Sequence, residues 1–155
     1  MPSADSARFF DWLASDLAPS EEPASLIEHF GRGLAQLGTG VERISAWLPT
    51  SHPELWGTQI VWVAGSQAEV IQRPHDVSQT ATYQNTPGQA VYESGKAQRW
   101  RLDGDVGQLP FPMLQEFAAA GYTDYYIRPF LLHHEKAWVA LVCRKSGGFM
   151  DADLA

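Results

Sequence analysis

Two pairs of strand-like runs in this chain are joined by connections too short to allow any pairing but one. Residues 58–64 and 68–73 meet at Gly65-Ser66, and residues 124–133 and 136–145 meet at His134-Glu135. A parallel pair needs a crossover of about a dozen residues or more, so both pairs are antiparallel hairpins. A further run, 41–48, alternates in the same way. Glu42, Ile44, Ala46 and Leu48 fall on one face, with Val41, Arg43, Ser45 and Trp47 on the other. Residues 97–102 form a shorter strand ahead of the turn Asp103-Gly104-Asp105.

Between and before these runs the period becomes helical. Phe9, Phe10, Leu13 and Leu17 make one apolar stripe over residues 4–17. After a break, Ser20 is placed to cap a second helix, with Glu21, Glu22 and Pro23 in its first turn. Leu26, Ile27, Phe30, Leu34 and Leu37 carry that helix to Gly38. Gly31 and Gly33 weaken it by about 1 kcal/mol each, so packing has to hold it. Thr86-Pro87 opens a short helix that Ser94-Gly95 ends, and residues 112–120 form another, with Leu114, Phe117 and Ala118 inward and Gly121 as its stop. The order is helix, helix, three strands, short helix, strand, helix, two strands. That order predicts an α+β domain with a central antiparallel sheet of about six strands and helices mainly on one face.

The chain has 155 residues, enough for one domain, and its 45% hydrophobic share supplies a core. Its net charge of −7 and three scattered lysines leave no basic stripe to release counterions, which argues against nucleic acid as a partner. No apolar run approaches the ~20 residues of a membrane span and no cationic leader precedes an apolar stretch, so a cytoplasmic location is expected. The lone Cys143 sits at the end of an apolar run and reads as a buried, inert thiol.

Enzymatic constellations are missing. No nucleophile elbow, zinc-binding His-Glu-x-x-His, phosphate-binding loop or dinucleotide fingerprint occurs. Asp103 and Asp105 are explained by their turn, and Asp151 and Asp153 by a helix start. His133 and His134 are adjacent on a strand and point to opposite faces, so they do not share a metal ion. His52 or His75 could serve as a single axial haem ligand; the cofactor is otherwise unspecified. Asp124 reads as an arginine's partner or as the end of the preceding helix. The most distinctive tract runs from Arg43 through Trp47, His52-Pro53 and Trp56 to Trp62, polar groups alternating with aromatic faces around a loop. Together with Tyr83 and Tyr125 it suggests a pocket: Trp47, His52, Trp56, Trp62, Tyr83 and Tyr125 are the candidate ligand-binding residues.

Several segments in order resemble a known type of domain. They are Pro49-Thr-Ser-His52-Pro53, Trp62 near Gly65, Arg99-Trp-Arg101-Leu102, Gly121-Tyr-Thr123-Asp124-Tyr125 with Pro129, and Gly147-Gly148-Phe149 with Asp151 and Asp153-Leu154-Ala155. Together they resemble the GAF-like region that precedes the catalytic domain of certain bacterial class III adenylate or guanylate cyclases. The resemblance implies a GAF-like regulatory domain over 1–148, and over 149–155 the start of a linker helix toward a catalytic domain. It also implies a homodimer, with Phe9, Phe10, Leu13 and Leu17 as the candidate interface, and no catalysis by this domain itself. The ligand is left open: a bilin would need a cysteine placed elsewhere than Cys143, and no cyclic-nucleotide pocket motif is present. A structural connector without ligand is the principal alternative, and a small stand-alone enzyme the third.

Overall fold

The computed structural model describes residues 22–50, 52–76, 83–132, 134–151 and 154. The predicted first helix, with Phe9, Phe10, Leu13 and Leu17, lies outside them, as do Ser20, Glu21, His133 and Asp153. Six strands form one sheet: β1 (Val41–Pro49), β2 (Leu55–Val63), β3 (Glu69–Pro74), β4 (Gln98–Arg101), β5 (Asp124–Leu132) and β6 (Glu135–Cys143). Their order is β3-β2-β1-β6-β5-β4, and every pairing is antiparallel. The three described α-helices are α1 (Pro23–Gln36), α2 (Pro87–Ser94) and α3 (Pro112–Ala119). A 3-10 turn, Val106–Gln108, which periodicity does not foreshadow, leads into α3.

The two hairpins form as the short connections dictate. Leu132 pairs with Glu135 across the second turn, where His134 takes the left-handed conformation at φ 70°. The loop between β1 and β2 is shorter than the sequence suggests, because pairing continues to Pro49 and Gly57. The start of α2 is built from its own side chains. Thr86 accepts a hydrogen bond from the Gln89 N–H, and the Gln89 carbonyl reaches back to the Asn85 N–H. At its far end Gly95 adopts φ 68° and closes the helix.

Helices cover both faces of the sheet. α2 and α3 pack on one face, around Val91, Leu114, Tyr125, Ile127 and Trp138. On the opposite face α1 lays Ile27, Phe30 and Leu34 over Val41, Ile44, Trp62 and Cys143. Val41 belongs to this second face although simple alternation assigns it to the other. The register between β1 and β6 shifts between Val41 and Arg43, and that bulge turns Val41 over to join Ile44.

Gly31 shows why the glycines of α1 are tolerated. A Cβ there would lie 2.5 Å from ring carbons of Trp62, so the missing side chain is what lets helix and sheet approach. Phe149 is buried on the α1 face at 4% exposure. It is held there by Asp124, which is wholly buried. Asp124 accepts from the Phe149 N–H at 2.9 Å and from Arg99 Nη2 at 2.6 Å, while Arg99 also donates to the Phe149 carbonyl at 2.7 Å. The reading of Asp124 as an arginine's partner is the one the fold adopts. Among the described residues no helix is long and apolar enough to cross a membrane.

Candidate functional site

Alternation along three neighbouring strands sends a mixed set of side chains to the face shared with α2 and α3. From β1 come Arg43, Ser45 and Trp47, from β2 Gln59 and Val61, and from β3 Ile71 and Arg73. The helices do not fill the space above them. A cavity of about 230 Å³ results, closed by Tyr83, Thr86 and Gly88 around the start of α2, and by Met113 and Phe117 of α3. Tyr125, Trp138, Ala140 and Val142 of β5 and β6 complete it.

Aromatic rings make most of one end. Trp47 lies 4.8 Å from Trp56, and Trp56 meets Tyr83 edge-on at 4.5 Å. Gly57 permits this arrangement, since a Cβ there would meet the Trp47 indole. At the other end Phe117 stacks near Tyr125, with the Arg43 guanidinium 5.2 Å from the Phe117 ring centre. Burial raises the Tyr83 phenol to about 12, with the neighbouring Tyr92 and Glu93 adding to the effect. The Tyr125 phenol is raised further by burial, opposed by the charge of Arg43.

A polar ladder crosses the floor. Arg73 donates from Nε and Nη2 to Gln59 Oε1 at 3.2 and 2.7 Å, and Gln59 Nε2 donates to Ser45 Oγ at 2.8 Å. The buried indole N–H of Trp47 has no hydrogen-bond partner among the described residues, and a buried donor that nothing accepts costs about 1–3 kcal/mol. Such a site can hold a flat ligand by ring contacts and orient it with a few directed donors.

Four of the six residues picked out from the sequence meet here: Trp47, Trp56, Tyr83 and Tyr125. Trp62 and His52 do not join them. Trp62 pairs in register with Ile44 and shares its face, so it is buried under α1 on the far side of the sheet. His52 is exposed in the β1–β2 turn, where its Nδ1 accepts from the Glu54 N–H. Gln59, Arg73, Phe117 and Trp138 were not foreseen. Register supplies the missing signal for two of them, because Gln59 and Trp138 both sit directly opposite Trp47.

No family model matches the chain, and no curated protein matches it. A solved structure does: the GAF domain of a two-component sensor histidine kinase from Bacillus halodurans. The two align with a TM-score of 0.56 at 15% identity, over 86% of this chain and 84% of that one. The fold is GAF-like. In this GAF-like frame the cavity occupies the space between the sheet and the helices α2 and α3, while α1 closes the other face.

Proposed function

We propose that this GAF-like domain is a regulatory sensor within a signalling protein, and that it binds a small molecule in the cavity over β1, β2 and β3. One observation carries the reading. The domain keeps an aromatic-walled space of about 230 Å³ beside Trp47, Trp56 and Tyr83, with the polar ladder of Arg73, Gln59 and Ser45 on its floor. Apolar walls with a few directed polar groups are what small-molecule sites consist of, and a flat ligand would fill the space and meet those groups.

The output is read from the sequence. The segments resembling the region ahead of class III cyclases support an attached nucleotide cyclase, with the domain itself non-catalytic and cytoplasmic. The same resemblance supports a homodimer that uses Phe9, Phe10, Leu13 and Leu17. Ligand binding would bias two arrangements of that dimer by as much as it distinguishes them in energy.

Native and then denaturing mass spectrometry of the freshly purified domain is the test, followed by calorimetric screening of small metabolites against wild type and Ala140→Leu. Ala140 lines the cavity and is fully buried, so the larger side chain projects into the space. A small molecule that binds wild type and is lost from folded Ala140→Leu supports the sensor. A clean dimer that binds nothing, or a ligand indifferent to Ala140→Leu, overturns it in favour of a structural connector.

A further inference from the structure

Four of the described arginines are paired with carboxylates: Arg32, Arg99, Arg101 and Arg144. Arg43, Arg73 and the exposed Arg128 have no carboxylate partner among the described residues, and the first two line the cavity, whose described lining contains no acidic side chain. In a chain of net charge −7 that is a deliberate local excess of positive charge. Both cavity arginines are half-buried, and beside apolar walls a guanidinium attracts an entering anion more strongly than it would in open water.

Arg73 is the better prepared of the two. Its Nε and Nη2 are turned toward Gln59 Oε1, and Gln59 is itself fixed by Ser45. This fixes the plane of the guanidinium and leaves the donors of Nη1 without a partner among the described residues. Arg43 instead lies over the Phe117 ring. The volume of about 230 Å³ falls below the ~300–1,000 Å³ of typical drug-sized sites, which favours a one-ring compound over a nucleotide.

We propose that the cavity takes a single-ring aromatic carboxylate, its ring against Trp47 and Trp56 and its carboxylate on Arg73. The proposal rests on the cavity being a ligand site, as argued above, and specifies what enters it. A planar fork meeting a planar carboxylate gives paired charge-assisted hydrogen bonds.

Isothermal titration calorimetry with benzoate and its neutral counterpart benzamide tests this on the intact chain, with inorganic phosphate as an anion lacking a ring. Benzoate is expected to bind at least about tenfold more tightly than benzamide, the span of a charge-assisted hydrogen bond. Phosphate alone is expected to bind weakly. Gln59→Glu keeps the arginine but gives it a carboxylate within the domain, so the ratio should fall close to one; Arg73→Gln should do the same. Circular dichroism confirms that both variants fold. Equal binding of the two probes overturns the proposal, as does phosphate competing as well as benzoate, or a ratio that survives both substitutions. So does a lack of binding by either aromatic probe at about 10 mM, where even a weak fragment registers. In each of these cases the sensor reading is decided separately, by mass spectrometry and Ala140→Leu.

Discussion

Replacing Asp124 with alanine is expected to destabilise the domain by about 3–5 kcal/mol, the cost of removing one partner from a buried ion pair. The carboxylate has no exposed surface and accepts from Arg99 Nε at 3.1 and 3.2 Å, from Arg99 Nη2 at 2.6 Å and from the Phe149 N–H at 2.9 Å. Without it, Arg99 retains the Phe149 carbonyl and Asp151. The Asp151 side chain is 98% exposed, so that pair is worth at most about 1 kcal/mol and does not compensate. The Phe149 N–H is orphaned in the core as well. Gly148 packs so closely here that a Cβ on it would clash with the Asp124 side chain. Urea unfolding followed by tryptophan fluorescence measures the loss, and the matching fall in Tm is about 6–20 °C for a domain of this size. Arg99→Ala should cost a similar amount, and the double variant should fall short of the sum by about 2 kcal/mol or more. Hydrogen exchange at the Phe149 amide should quicken in all three. A loss under about 1 kcal/mol with an unchanged m-value would refute the argument that this pair fastens the C-terminal segment.

Gly31→Ala should destabilise despite the helix-propensity gain of about 1 kcal/mol, because the new methyl meets a Trp62 ring that is only 2% exposed, and overpacking costs about 1–3 kcal/mol. In a Trp62→Leu background the same change should become favourable, which equilibrium unfolding of the four variants will show. Burial pushes the Cys143 thiol up, so a thiol reagent at mildly alkaline pH should leave the folded protein unlabelled and react once urea unfolds it. Tyr83, at about 12, should ionise later than the free phenol at 10.0 in a spectrophotometric titration. The neutral form is the one the fold favours. Its contribution to stability is therefore full below pH 10.0 and is lost as pH rises toward about 12, and Tyr83→Phe should flatten that part of the curve.

The short connections made both hairpins legible in the sequence, and the Thr86-Pro87 opening and Gly95 stop made α2 legible too, because each signal is local. The bulge at Val41 was not, since a single inserted residue reverses which face a side chain meets without altering composition. The pocket was half legible for a related reason. Clustering of aromatics in the sequence gathered Trp47, Trp56 and Trp62, but only strand register shows that Trp62 stands on the side of Ile44 while Gln59 stands with Trp47. Arg73 and Trp138 come from strands distant in the chain, and nothing near them in sequence announces that they share a wall.

The strand order also sets how this domain can assemble. β1 to β3 form one meander and β4 to β6 another, each from neighbouring stretches of chain, but the seam between them joins Val41 to Cys143 and Trp47 to Trp138. Closing that seam brings together residues about a hundred positions apart, the kind of contact that slows folding. The cavity straddles it, with Trp47 and Arg73 from one meander and Tyr125 and Trp138 from the other. Either meander alone is therefore a sheet fragment with an open edge and half a binding wall. The site comes into being only at the moment the seam shuts.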